Sequence, residues 1–177
     1  MEQHQVVPDV IDSVPSKVVN VSYNGAKVDL GNELTPTQVK DVPEISWEAD
    51  SESYYTLIMT DPDAPSRKDP QYREILHWLV INIPGSDLNK GETLTPYRGS
   101  GPPKGTGLHR YIFLVFKQSE KKSFDEPNLT NPKRENRMKF STRNFVSKHK
   151  LTLVAGNLYQ AQYDSYCDIL HAQLRKD

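Results

Sequence analysis

The chain has a single cysteine, Cys167, among 177 residues, so no disulfide can close within it. A lone free thiol suits a reducing, cytoplasmic setting. No run of about 18 apolar residues occurs, so no transmembrane helix is expected. The first residues, MEQHQVVPDV, lack the basic start and apolar block of a signal peptide. Internal repeats and low-complexity tracts are absent as well. The formal net charge is only −1, too little for a general nucleic-acid binder. These absences leave one domain over residues 1–177, expected to be a cytoplasmic monomer with no nucleic-acid partner.

The charges that are present are unevenly spread. Residues 1–120 carry eleven Lys/Arg against seventeen Asp/Glu, whereas residues 121–150 carry nine against three. A basic segment therefore sits on an otherwise acidic chain. It reads either as a solvated loop and helix or as a face for an anionic membrane or an acidic partner.

The pattern is mostly β. KVVNVSY (17–23) meets Asn24-Gly25 and then AKVDL, a hairpin signal, and ISWE (45–48) is another short strand. YYTLIMT (54–60), ILHWLVINI (75–83) and RYIFLVF (110–116) are apolar on both faces, as central covered strands are. LTLVAGNLYQAQYD (151–164) reads as a strand pair or one strand bent at Gly156. Helices are expected at 141–150, capped by Ser141, and at 165–176, where Cys167, Leu170, His171 and Leu174 recur at helical spacing behind a capping Ser165. The connections 84–109 and 117–140 are too long for simple hairpins.

Three stretches concentrate chemistry. DPDAPSR (61–67) leaves a buried strand with two prolines fixing its φ angles. Asp61 and Asp63 would share a face if the segment stayed extended; alternatively their side chains cap a turn. His77 lies inside ILHWLVINI, where strict alternation places it with Ile75, Leu79 and Ile81 and opposite Leu76, Trp78 and Val80. YRGSGPPKGTGLHRY (97–111) holds four glycines, suited to close backbone approach and an anion nest, and leads into His109 and Tyr111. It lacks the GK[ST] ending and following helix of a nucleotide-binding loop. Two Asp and two His could hold a metal, but no HExxH or other local spacing fixes such a site. Ser66 and Ser100 sit in no GxSxG elbow. The pattern favours a small anion pocket, with donors from imidazole, tyrosine and backbone N–H groups and an Asp that orients a histidine.

At these residues the chain resembles the phosphatidylethanolamine-binding protein family, also called Raf kinase inhibitor proteins. DPDAPSR, His77-Trp78 and GSGPPKGTGLHRY carry the likeness in order and spacing, which extends from about residue 8 to the C-terminus. The resemblance implies a large central antiparallel sheet, a smaller sheet on one face, helices on the other, and a C-terminal helix near the ligand pocket. It implies a pocket lined by Asp61, Ala64, Pro65, His77, Gly99, Gly101, Pro102, His109 and Tyr111, supported by Asp63. It also implies a cis bond at Arg73-Glu74. Two positions depart from relatives: His171 stands where many have a pocket-mouth tyrosine, and Asn144 where mammalian members have a regulatory phosphoserine.

The function expected is non-enzymatic binding of a phosphate group or phospholipid headgroup, without catalytic residue, metal or cofactor. Modulation of a protein kinase is implied by the resemblance. The alternatives are docking to an acidic or phosphorylated partner, inhibition of a serine protease, and a metal-dependent hydrolase using Asp61, Asp63, His77 and His109. Peripheral membrane contact would run through 121–150. A charging His77 or His109 would strengthen anion binding toward acid.

Overall fold

The computed structural model describes residues 1–129 and 133–176. Three residues of the expected basic segment, 130–132, lie outside them, as does 177.

In chain order the elements are a helical turn α1 (Val6–Asp9), strands β1 (Lys17–Val18), β2 (Asn20–Tyr23), β3 (Ala26–Lys27), β4 (Asn32–Glu33), β5 (Glu44–Ser46), β6 (Tyr54–Asp61), β7 (Ile75–Pro84), β8 (Glu92–Thr95) and β9 (His109–Gln118), helices α2 (Arg134–Arg137) and α3 (Thr142–His149), β10 (Thr152–Ala161) and α4 (Tyr166–Lys176). The large sheet runs β1-β10-β9-β6-β7-β8, with β4 also on β10, and the small sheet runs β3-β2-β5. The expected antiparallel sheet is in fact mixed: β1 and β4 pair parallel with β10, at Ala155–Gly156 and Tyr159–Gln160. Both are two-residue pieces that together cover the outer edge of β10, an edge otherwise open to pairing.

The β2-β3 hairpin turns at Asn24 and Gly25, both left-handed at φ 50° and 89°. β10 is one strand, and its irregularity falls between Leu153 and Ala155 rather than at Gly156. A Cβ on Gly156 would come within 2.6 Å of the movable end of Met1 and 3.0 Å of the Pro15 ring. Ser141 caps α3 by accepting from the Asn144 amide at 3.1 Å. At α4 it is Asp164, not Ser165, whose side chain accepts from the Tyr166 amide.

Each face of the large sheet buries its own core. Val21, Tyr23 and Trp47 pack on Leu57, Met59, Trp78, Phe113 and Val115 between the two sheets. On the opposite face Val6, Val10, Phe124 and Phe145 cover Ile58, Ile81, Leu114 and Phe116. Burial of such side chains contributes about 1.5–3 kcal/mol each. The small sheet thus covers one face and the N-terminal segment with α3 the other. The polar ends of β6, β7 and β9 meet at one edge of this sandwich.

Candidate functional site

β6 ends where β9 begins, so Asp61 lies beside His109. Asp61 accepts the Asp63 amide on Oδ1 at 2.7 Å and faces His109 Nδ1 with Oδ2 at 3.0 Å. DPDAPSR is therefore a capped turn whose first carboxylate stands beside His109. The two carboxylates do not share a face, because the chain turns between them. Asp63 points to the other side of the sheet, where Arg110 grips it through Nη2 at 2.7 Å, Nε at 2.9 Å and its backbone amide at 2.9 Å. Consecutive residues His109 and Arg110 project to opposite faces, and each takes one aspartate. Burial raises the Asp63 pKa, but the Arg110 hydrogen bonds and charge outweigh it and hold the carboxyl below its ordinary value. Arg110 also reaches Asp9 at 2.9 Å and the His4 carbonyl at 2.8 Å, fastening the N-terminal segment behind the site.

The Ala64-Pro65 and Arg73-Glu74 bonds are cis, the second as the family resemblance implied. The Ala64 carbonyl accepts from the Tyr72 amide at 2.9 Å, closing the loop that carries Pro65. The carboxylate of Glu74 is buried between Thr60 and Thr142, whose hydroxyls donate to it at 2.8 and 2.6 Å.

His77 is not where strict alternation puts it. The β6-β7 register jumps from Met59↔Trp78 to Thr60↔Leu76, so His77 is the extra residue of a bulge. Leu76 and Leu79 therefore join the core on the helical face, while the His77 ring meets Tyr111 edge-on at 5.3 Å on the small-sheet face. Its Nδ1–H donates to the Arg98 carbonyl at 2.7 Å, and the Arg98 amide returns a bond to the His77 carbonyl at 2.9 Å. Burial lowers the His77 pKa to about 4, against the Asp61 charge and that hydrogen bond, while nearby Arg137 and Arg98 push the same way. Burial thus favours the neutral ring at pH 7, which counts against His77 as the source of the acid-strengthened binding expected. With its proton on Nδ1, Nε2 presents a lone pair, and it has no hydrogen-bond partner among the described residues.

His109 is engaged at both nitrogens. Nε2 lies 2.9 Å from the Thr106 hydroxyl, which itself donates to the Pro103 carbonyl at 2.7 Å. Its ring lies parallel to Tyr111 at 6.3 Å, and Tyr111 stacks on Tyr159 at 5.2 Å. His109 is held as a wall rather than as a free donor.

The glycines of the loop divide their work. A Cβ on Gly99 would strike the Val39 carbonyl at 2.7 Å, and one on Gly101 the Leu170 side chain at 2.8 Å. Gly105 and Gly107 instead hold left-handed φ angles of 83° and 75° in open space. Pro102 is buried beside Gly101. α4 closes the site from above: His171 Nε2 bonds the Gly101 carbonyl at 2.8 Å. Below the loop, the Ser100 hydroxyl pairs with Tyr159, and Tyr23 with Tyr97 at 2.8 Å, whose hydroxyl ends on the Val39 carbonyl. Burial raises the pKa of Tyr23, Tyr97, Tyr111 and Tyr159 well out of reach, so this chain of hydroxyls stays protonated.

Asp61, His77, His109 and Tyr111 thus come together, His171 meets Gly101 on the neighbouring loop, and Asp63 is taken up by Arg110 on the far face. Ala64 and Pro65 take part through the backbone of the turn. Thr106, Arg137 and Tyr159 escaped the sequence reading, and Ser100 entered it only as a serine outside any GxSxG elbow. Among the described residues no group of three or more His, Cys, Asp or Glu side chains is placed to hold a metal ion. Asp63 in particular is consumed by Arg110, so the set required by a metal-dependent hydrolase does not converge. Two open clefts, of about 560 and 710 Å³, lie elsewhere and contain none of these residues. In the second, the Asn157 amide is fully committed to backbone groups. The basic segment is partly neutralised, with Arg143 on Asp12 at 2.8 Å and Lys148 on Glu126 at 3.0 Å. Among the described residues no helix is long and apolar enough to cross a membrane.

A two-sheet β fold with a cluster of histidine, aspartate and stacked tyrosines at one sheet end defines the class. The sequence description of phosphatidylethanolamine-binding proteins matches residues 24–160, and the chain belongs to this family. It is 39% identical over 168 residues to the putative odorant-binding protein A5 of Drosophila melanogaster, covering 94% of this chain and 80% of that one. The solution structure of CG7054 superposes with a TM-score of 0.78 at 51% identity, covering 96% of this chain and 97% of the other. The carboxypeptidase Y inhibitor, solved in complex with its cognate proteinase, superposes with a TM-score of 0.75 at 27% identity, over 92% and 93% of the two chains.

Proposed function

We propose that this protein binds, without turning over, a phosphate-bearing headgroup that also carries an N–H donor, as phosphatidylethanolamine does. The observation that carries this reading is the buried His77 ring, whose Nδ1 is bonded to the Arg98 carbonyl at 2.7 Å. Its Nε2 is an acceptor, and Asp61 beside it is a second one, so a purely anionic ligand would meet repulsion there. An ammonium satisfies those acceptors. The phosphate then falls to the loop, where the Ser100 and Gly101 amides have no partner among the described residues.

Calorimetric titration with phosphoethanolamine, phosphocholine and inorganic phosphate tests it. Phosphoethanolamine should bind most tightly and phosphocholine, which has no N–H, least. His77→Ala should abolish the difference. Equal affinity for the two headgroups, or release of inorganic phosphate from either, would sink the proposal.

The relative that complexes a proteinase supports a second reading, in which an acidic or phosphorylated side chain of a kinase or protease enters the same site. Under that reading the charge reversal Lys133→Glu/Arg134→Glu weakens partner binding and leaves headgroup affinity unchanged. The two residues are exposed near the middle of the basic segment. Cytoplasmic location and peripheral membrane contact through 121–150 belong to the headgroup reading and stand with it.

A further inference from the structure

Arg137 belongs to none of the motifs, yet it is one of the most buried charges in the protein, with 2% of its surface exposed. It comes from α2 in the basic segment and turns inward. Nη1 donates to the Leu76 carbonyl at 3.0 Å and the His77 carbonyl at 3.1 Å, and Nη2 to the Pro96 carbonyl at 2.9 Å. Its partners are all neutral carbonyls; no carboxylate pairs with it among the described residues. Nε–H is buried with no acceptor among the described residues. Burial, with Arg98 adding repulsion, pulls its pKa down to about 9. A buried cation without an anion, holding one unmet donor, is costly in a core that could have used an apolar side chain.

The position explains what the cost supports. The β7-β8 ladder reaches only Leu79↔Thr95, so beyond it the chain from Pro96 to Arg98 has left the regular pairing. At the bulge the Leu76 and His77 carbonyls both accept from Arg137, and the His77 carbonyl also accepts from the Arg98 amide across the same gap. The guanidinium is wedged into that gap and bridges both sides. One side carries the His77 ring, and the other leads directly into Gly99–Gly101.

We infer that Arg137 is a positioning residue of the site: its guanidinium sets the spacing between His77 and the glycine loop, and its unmatched charge favours an anion bound between them. The inference deepens the headgroup reading and rests on it for the ligand, but the placement of His77 can be tested without any ligand. Lysine retains the charge at 137 but cannot reach three carbonyls; methionine fills the space and removes both.

The test compares wild type, Arg137→Lys and Arg137→Met by NMR of the histidine rings and by calorimetry with inorganic phosphate. In both variants the His77 ring signals should move or split while those of His109, held by Asp61 and Thr106, stay. Phosphate affinity should fall on the order of tenfold in Arg137→Lys and further in Arg137→Met, the scale seen when a group orienting a ligating histidine is lost. In wild type, phosphate should shift the Arg137 Nε–H resonance and leave that of Arg110 unmoved, a readout that needs no variant to fold. Unchanged His77 signals in a folded Arg137→Met variant overturn the positioning role. An unmoved Arg137 resonance on phosphate saturation overturns the role of its charge. If wild type binds no inorganic phosphate, the charge role fails, while the ring signals still decide the placement of His77 and the phosphoethanolamine titration decides the headgroup reading.

Discussion

The neutral His77 makes the stability of the protein depend on pH in a defined window. An ordinary histidine titrates near 6.5, and this one is pushed to about 4, chiefly by burial. The unfolded chain therefore takes up a proton at this residue before the folded chain does. Stability from His77 is complete above about pH 6.5 and is lost as the pH falls toward 4. At about 1.4 kcal/mol per tenfold change in proton affinity, the loss is about 2 kcal/mol by pH 5 and about 3 by pH 4. Glu74 acts in the opposite direction. Burial raises its pKa despite the donors from Thr142 and Thr60, so its contribution is retained in acid and lost as pH rises through the carboxylate range. The His77 share is isolated by comparing wild type with His77→Asn, whose amide can keep the hydrogen bond to the Arg98 carbonyl but has no proton to gain. Urea unfolding at pH 7.5, 6, 5 and 4 should show the advantage of wild type shrinking by those amounts. Parallel curves from pH 7.5 to 5, or a His77 ring titrating near 6.5 by NMR, would refute the reasoning.

Two further outcomes follow from the packing behind the site. Asp63→Asn leaves the buried Arg110 without its matching charge, and chemical denaturation should show a loss of about 3–5 kcal/mol; a loss under about 1 kcal/mol would mean that Asp9 compensates. Gly99→Ala sets a methyl group against backbone that cannot yield, whereas Gly101→Ala meets the movable end of Leu170. The first should cost about 1–3 kcal/mol, and the second should cost less but speed amide exchange in α4; the reverse order would count against the tight fit at Val39.

Much of this was legible in the sequence because the determining features are local. YYTLIMT, ILHWLVINI and RYIFLVF are apolar on both faces and could only be covered strands. DPDAPSR and the glycine loop announced constrained backbone beside polar groups. What escaped depends on partners remote in the chain. β1 and β4 are strands only because β10 offers them an edge, and two residues carry no periodicity. The bulge at His77 leaves no trace in the LHW composition, and so the ring was assigned to the wrong face. The two aspartates of one motif were separated by the alternation of His109 and Arg110, forty-six residues further on from Asp63. Arg137, within a run of lysines and arginines, looked like any exposed cation.

The edge shared by β1 and β4 also bears on how the protein is made. A ribosome releases residues 17–33 early, but their partners in the large sheet, Ala155 to Gln160, emerge much later. Until then the first strands have only the small sheet to join, and the pairing that closes the large sheet spans most of the chain. The site is completed later still, when His171 arrives over Gly101. A chain that ends before residue 171 therefore lacks the contact between α4 and the glycine loop.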